Sequence, residues 1–89
     1  MAKTFTGTAT TSSAELSITG CFASEVYVKN TGSTDLEVNV PAIHGTDYDT
    51  VAAGDTEYYG SRSNIGTINV QTDSGTTTYT AGVTRGTAQ

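Results

Sequence analysis

The densest set of groups able to do chemistry lies in residues 44–55, where His44, Asp47, Tyr48, Asp49 and Asp55 follow one another closely. An imidazole with two carboxylates, His44 with Asp47 and Asp49, has the donor types that hold a divalent cation. The spacing is neither that of a calcium loop nor that of a helical His-x-x-x-His zinc pair. Alternation along residues 46–51, TDYDTV, sends Asp47 and Asp49 to one outward face, so a solvated acidic loop without a metal is expected. Another carboxylate stands in Asp73-Ser74-Gly75. Two such groups brought together by dimerisation would share a proton and work as an acid–base pair. Asp and Gly are equally the residues that reverse a chain, and a hairpin turn is the expectation here. Ser33, Ser61, Ser63 and Ser74 lie outside any G-x-S-x-G context, so no hydroxyl has an evident activator. Cys21 is the single cysteine, which excludes an internal disulfide and a cysteine-built zinc site. It reads as a half-buried small side chain in a reducing cytoplasm. No enzyme activity and no cofactor are expected.

The Asp-Ser-Gly triplet also resembles the segment around the catalytic aspartate of aspartic proteases. That family has aliphatic residues just before the aspartate and carries the triplet early in a short chain. Here Val70-Gln71-Thr72 precede it, late in the sequence. The better lead is aromatic. Tyr27, Tyr48, Tyr58, Tyr59 and Tyr79 offer large amphipathic contact area at low entropic cost, as interfaces use it. Tyr58 and Tyr59 are adjacent and face opposite sides of a strand, so one is core and the other surface. Phe5, Tyr27, Tyr48 and Tyr59 are read as the partner-binding set.

The elements that carry these side chains are short strands. Residues 25–40, EVYVKNTGSTDLEVNV, form the expected centre. Val26 and Val28 alternate with polar neighbours, as do Leu36, Val38 and Val40, and Asn30-Thr31-Gly32-Ser33-Thr34 between them can reverse the chain. A β-hairpin is predicted, with a second sheet covering its aliphatic face. Residues 14–19 add a strand with Leu16 and Ile18 on one face. Pro41 ends regular pairing, with Ile43 as the buried anchor of the connection that follows. Residues 46–51 and 56–59 are further strands around a turn at 52–55. Ile65 and Ile68 differ in parity, which places a bulge at Gly66 before residues 68–71. Residues 76–84 return with Tyr79, Ala81 and Val83 on one face. Residues 1–13 form an N-terminal arm or edge strand, 14–84 the domain, and 85–89 a loose tail.

Seven or eight such strands make an all-β fold, a small two-sheet antiparallel sandwich of immunoglobulin-like or jelly-roll topology. Composition agrees: of 89 residues, 35% are hydrophobic and only 15% charged, with glycine and β-branched threonine filling the difference. The formal net charge of −5, with Lys3, Lys29, Arg62 and Arg85 far apart, argues against nucleic acid as a partner. No apolar run approaches the length of a membrane span or resembles a secretion signal.

Taken together, EVYVKNTGSTDLEVNV, TVAAGDTEYYG and IGTINVQTDSGTTTY resemble the small β-sandwich decoration (cement) proteins of tailed bacteriophages, over about residues 14–84 by strand and turn pattern. The shared features are V-x-N-x-G in the first pair of strands, A-G-[DE]-T before an aromatic pair, and I-x-V-x-T-x-S-G near the end. The resemblance implies a non-enzymatic virion structural protein that binds the outer capsid surface and stabilises joints between major capsid protein subunits. It further implies a homotrimer, made in the host cytoplasm, with an N-terminal arm reaching a neighbour. The alternative is a carbohydrate- or receptor-binding sandwich module, against which the absence of tryptophan counts.

Overall fold

The computed structural model describes residues 4–88. Eight strands and one helical turn follow in order: β1 (Thr4–Ala9), β2 (Ala14–Ser17), β3 (Cys21–Asn30), β4 (Leu36–Asn39), α1 (Pro41–His44), β5 (Asp49–Val51), β6 (Thr56–Gly60), β7 (Thr67–Gln71) and β8 (Thr77–Ala88). They form two four-stranded antiparallel sheets packed face to face, ordered β1-β8-β3-β6 and β2-β7-β4-β5. The pairing is nested. β4 pairs with β5, β3 with β6, β2 with β7 and β1 with β8. One long antiparallel hairpin, turned over at residues 40–48, is thus rolled up, and β3 meets β8 while β4 meets β7 to close the roll. This is the strand order of a jelly roll, not of an immunoglobulin sandwich.

That order corrects the expected hairpin at residues 25–40. The inside–outside phase is as read: Val26, Val28, Leu36, Val38 and Val40 are all fully buried. β3 and β4, however, lie in different sheets and exchange no ladder bonds, so residues 31–35 arch across the core. The Asp73–Gly75 turn likewise leads from β7 in one sheet to β8 in the other. Each buried aliphatic side chain contributes about 1.5–3 kcal/mol. An arch lets two strands from one stretch face each other through that core.

Residues 4–9, read as arm or edge strand, pair with β8 from Thr4↔Gly82 to Ala9↔Thr77. The first three residues and Gln89 lie outside the described residues. Instead of a loose tail, residues 85–88 continue β8 along β3, ending at Cys21↔Ala88. The bulge is also elsewhere than expected. β3 and β8 each carry one extra residue where Ala23↔Gly86 gives way to Val26↔Val83, so Ala23 and Val26 are both buried despite their odd spacing. Polar side chains tie the irregularity down: Ser24 Oγ donates to the Arg85 carbonyl at 3.3 Å, and Thr84 Oγ1 to Glu25 Oε1 at 2.6 Å. Gly66 precedes β7 and accepts a bond from Ile18 N–H at 2.9 Å. Ile65 enters the core from a loop docked on β3, where its N–H donates to the Ala23 carbonyl at 2.8 Å and Asn64 Oδ1 accepts from Ala23 N–H at 2.8 Å. Its parity relative to Ile68 therefore carries no strand information.

Where β3 ends, Asn30 continues the inward series of Val26 and Val28 and is completely buried. Its Nδ2 donates to the carbonyls of Thr34 and Val51, at 2.7 and 2.9 Å. Its Oδ1 accepts from Thr77 Oγ1 at 2.7 Å and from Gly32 N–H at 3.2 Å. One side chain thus joins β3, the arch, β5 and β8. Gly32 is held tightly here, because a Cβ on it would collide with Thr77 Oγ1 and stand 2.7 Å from the Thr78 nitrogen.

Candidate functional site

The polar cluster at residues 44–55 is chiefly a structural closure. Pro41 starts α1, and the Val40 N–H donates to His44 Nδ1 at 3.0 Å, which fixes the imidazole beside the turn. Val40, not Ile43, is the anchor: Ile43 is 40% exposed, because a single helical turn lifts it away from the sheets. The His44 ring meets Tyr59 edge-on at 5.2 Å, and the Tyr59 hydroxyl donates to Asp49 Oδ2 at 2.7 Å. Asn39 Nδ2 donates to the carbonyls of Gly45 and Asp47, at 3.0 and 2.7 Å, and Asn69 Nδ2 donates to Asn39 Oδ1 at 3.0 Å. Asp47 thus serves the fold through its backbone. Among the described residues no three His, Cys, Asp or Glu side chains are grouped so as to hold a metal ion. Burial first, then the hydrogen bond and charge of Asp49 and the charge of Glu57, push the Tyr59 phenol far above its ordinary range. A phenol held neutral in this way is a donor and not a nucleophile.

The remaining candidate chemistry is dispersed. Asp73 is exposed, and the Thr72 hydroxyl closes its turn by donating to the Gly75 carbonyl at 2.6 Å. Gly75 has φ +71, which suits a residue without a side chain. Cys21 is a fully buried free thiol, deeper than the half-buried position expected.

The partner-binding set divides. Tyr59 is a core residue at 7% exposure, and its neighbour Tyr58 is the outward one at 63%. The register explains the reversal: Tyr59 stands opposite the buried Val26, and Tyr58 opposite Tyr27. The rings of Tyr27 and Tyr58 lie 6.4 Å apart, tilted by 44°, on the outer face of the β1-β8-β3-β6 sheet. Phe5 is half-buried against the core on the inner side of that sheet. Tyr48 is exposed just before β5, its hydroxyl 3.2 Å from Ser13 Oγ. Phe5, Tyr27 and Tyr48 therefore do not share one surface, and Tyr58 is the residue that sequence reasoning missed. Around the tyrosine pair the same outer face carries Thr4, Thr6 and Thr8 beside Gly82, Thr80 and Thr78, then Lys29 and Thr56. Thr31 Oγ1 donates to Thr78 Oγ1 at 2.8 Å at its far end. The face is hydroxyl-rich, with one aromatic island flanked along β3 by Glu25 and Lys29.

No protein-family model matches the sequence, and no curated protein matches it.

Proposed function

We propose that this protein is a non-enzymatic virion structural protein that binds the outside of a bacteriophage capsid and braces joints between major capsid protein subunits. The observation that carries the reading is the Tyr27–Tyr58 pair, presented on the outer face of a sheet and not inside a cleft. Among the described residues every buried side-chain nitrogen and oxygen already has a hydrogen-bond partner, so the interior polar groups are engaged in holding the fold. What remains for function is the surface, and aromatic anchors dominate the energy of protein contacts. The jelly-roll architecture recurs in capsid and lectin domains. The protein would be made in the host cytoplasm and end on the outer capsid surface.

The test is co-sedimentation with expanded heads that lack this protein. Wild type should pellet with the heads, and Tyr58→Ser should lose most of that binding while melting at an unchanged temperature. Failure of the wild type to bind heads would end the proposal. The same tyrosine pair also supports a second reading, a carbohydrate-binding module, since tyrosine faces stack on sugars. A glycan array separates the two, because selective retention by one sugar family belongs only to that second reading.

A further inference from the structure

The turn that joins β4 to β5 is held by an imidazole where a strand would use a carbonyl. The ladders of β4 run out at Val38↔Asp49 on one side and Asn39↔Asn69 on the other, so Val40 stands beyond both. Val40 is completely buried, and its N–H therefore needs an acceptor within the protein. That acceptor is His44 Nδ1 at 3.0 Å. The tie is reciprocal, because the His44 N–H donates to the Val40 carbonyl at 2.7 Å. A side chain of α1 thus reaches back to the residue before the helical turn, as the glutamate or glutamine of a capping box does. The difference lies in the group used. A glutamine keeps its acceptor at every pH, whereas an imidazole has one only while it is neutral.

We propose that His44 is a proton-operated catch on residues 40–48: the neutral ring holds the turn closed, and a proton added at Nδ1 releases it. Because Nδ1 accepts a hydrogen bond, the neutral ring carries its own proton on Nε2. An added proton on Nδ1 sets two donors against each other at a buried amide, and the closed turn has no place for it. By linkage, acid then favours the open turn, and closure is complete on the alkaline side. Imidazole is the side chain that takes up a proton between about pH 8 and 5. The groups around the ring do not compensate. Tyr59 on β6 meets it edge-on at 5.2 Å and has given its hydroxyl to Asp49 on β5. Asp47 on the turn and Glu57 on β6 are exposed, so water screens their attraction for an imidazolium. The other ties of the turn run from Asn39 Nδ2 to the carbonyls of the exposed Gly45 and Asp47. Opening is therefore local and leaves both sheets paired. It bares Val40 and the side of Tyr59 that the imidazole covers. The catch does not depend on capsid attachment.

The test is amide hydrogen exchange of the full chain, followed by heteronuclear NMR at about pH 8 and about pH 5. In wild type the protection factors of the Val40, His44 and Gly45 amides should fall about tenfold in acid, as for the loss of one hydrogen bond. Those of Val26 and Val28, in the central strand β3, should hold. The fall should track the proton uptake of His44, read from its Cε1 proton signal, which is unambiguous because the chain has one histidine. His44→Asn puts an acceptor oxygen where Nδ1 stands and cannot titrate, so it should keep these amides protected at both pH values. It also retains every carboxylate, so any loss it shares with wild type belongs to Asp47, Asp49 or Glu57. His44→Ala should leave the Val40 amide unprotected at both. A ring that takes up its proton while Val40 stays protected would overturn the proposal. So would a ring that stays neutral down to about pH 5, a His44→Asn protein as acid-sensitive as wild type, or a His44→Ala protein still protected at about pH 8.

Discussion

Both ends of β4 are closed by a buried asparagine, and the two closures differ in depth and in what surrounds them. At the Leu36 end, Asn30 is bonded to two carbonyls, an amide and a hydroxyl, none of which titrates. At the far end, Asn39 bonds to the carbonyls of Gly45 and Asp47 and to Asn69, and the loop it holds also carries His44, which bonds to Val40 and meets Tyr59, and leads to Asp49, which accepts from the Tyr59 hydroxyl. The first closure sits deep between the sheets and joins four segments. The second is shallow, and its partners Gly45 and Asp47 are exposed. One end is therefore a deep network of groups that do not titrate, whereas the other is a shallower closure whose loop also leans on the hydrogen bond from the neutral Tyr59 phenol to Asp49.

The sharpest way to break this comparison is Asn30→Ala against Asn39→Ala. The first strands several buried donors and acceptors at about 1–3 kcal/mol each, which approaches the whole stability of a small domain. No soluble folded protein is expected, as judged by circular dichroism. Asn39→Ala should cost only about 1–2 kcal/mol in denaturant titration, since water can reach its partners. Equal losses at the two sites would erase the distinction. Next in size is Gly32→Ala, which drives a methyl into Thr77 and the Thr78 backbone and should destabilise by about 1–3 kcal/mol.

Tyr59→Phe should cost about 1 kcal/mol at neutral pH, through loss of the bond to Asp49. Its larger effect is on alkaline stability. The unfolded phenol ionises near 10.0, while the folded one resists, so its stabilising contribution is complete below that pH and falls as pH rises above it. Tyr79 is also raised, by burial, and shifts stability in the same direction. The melting temperature of wild type should drop more steeply above pH 10.0 than that of Tyr59→Phe. Parallel profiles would remove the protonation dependence from this end. The smallest expected effects are at outward positions: Lys29→Thr and Glu37→Thr should stay within about ±0.5 kcal/mol. By contrast Val28→Asp, one residue from Lys29 but in the dry face, should not yield folded protein.

The strand phase was legible because alternation is local: Val26, Val28, Leu36 and Val38 announce their side from neighbours two residues away. Pairing was not, because a hairpin within one sheet and an arch between two sheets use the same alternation and the same polar turn. The one signal of an arch was Asn30, a polar residue in an inward position, and its meaning requires knowing what it bonds. The tyrosines show the same limit. In TEYYG two adjacent rings fit either phase equally, and only register against Val26 makes Tyr59 the core residue. Ile43 was misread since one turn of helix replaces the extended backbone that alternation assumes. The surface now proposed as functional, Tyr27 with Tyr58, was half legible: Tyr27 from its polar neighbours, Tyr58 not.

The nested pairing has a consequence for how the chain reaches its fold. Only β4 and β5 are close in sequence; each further pair encloses all those before it, out to β1 and β8. Loop closure is least demanding for the innermost pair, so assembly is expected to begin around residues 36–51 and to zip outward. A topology so dominated by distant contacts folds in milliseconds to seconds, not microseconds. Substitutions in β4 and β5 should then slow folding, whereas those in β1 should leave its rate alone and hasten unfolding.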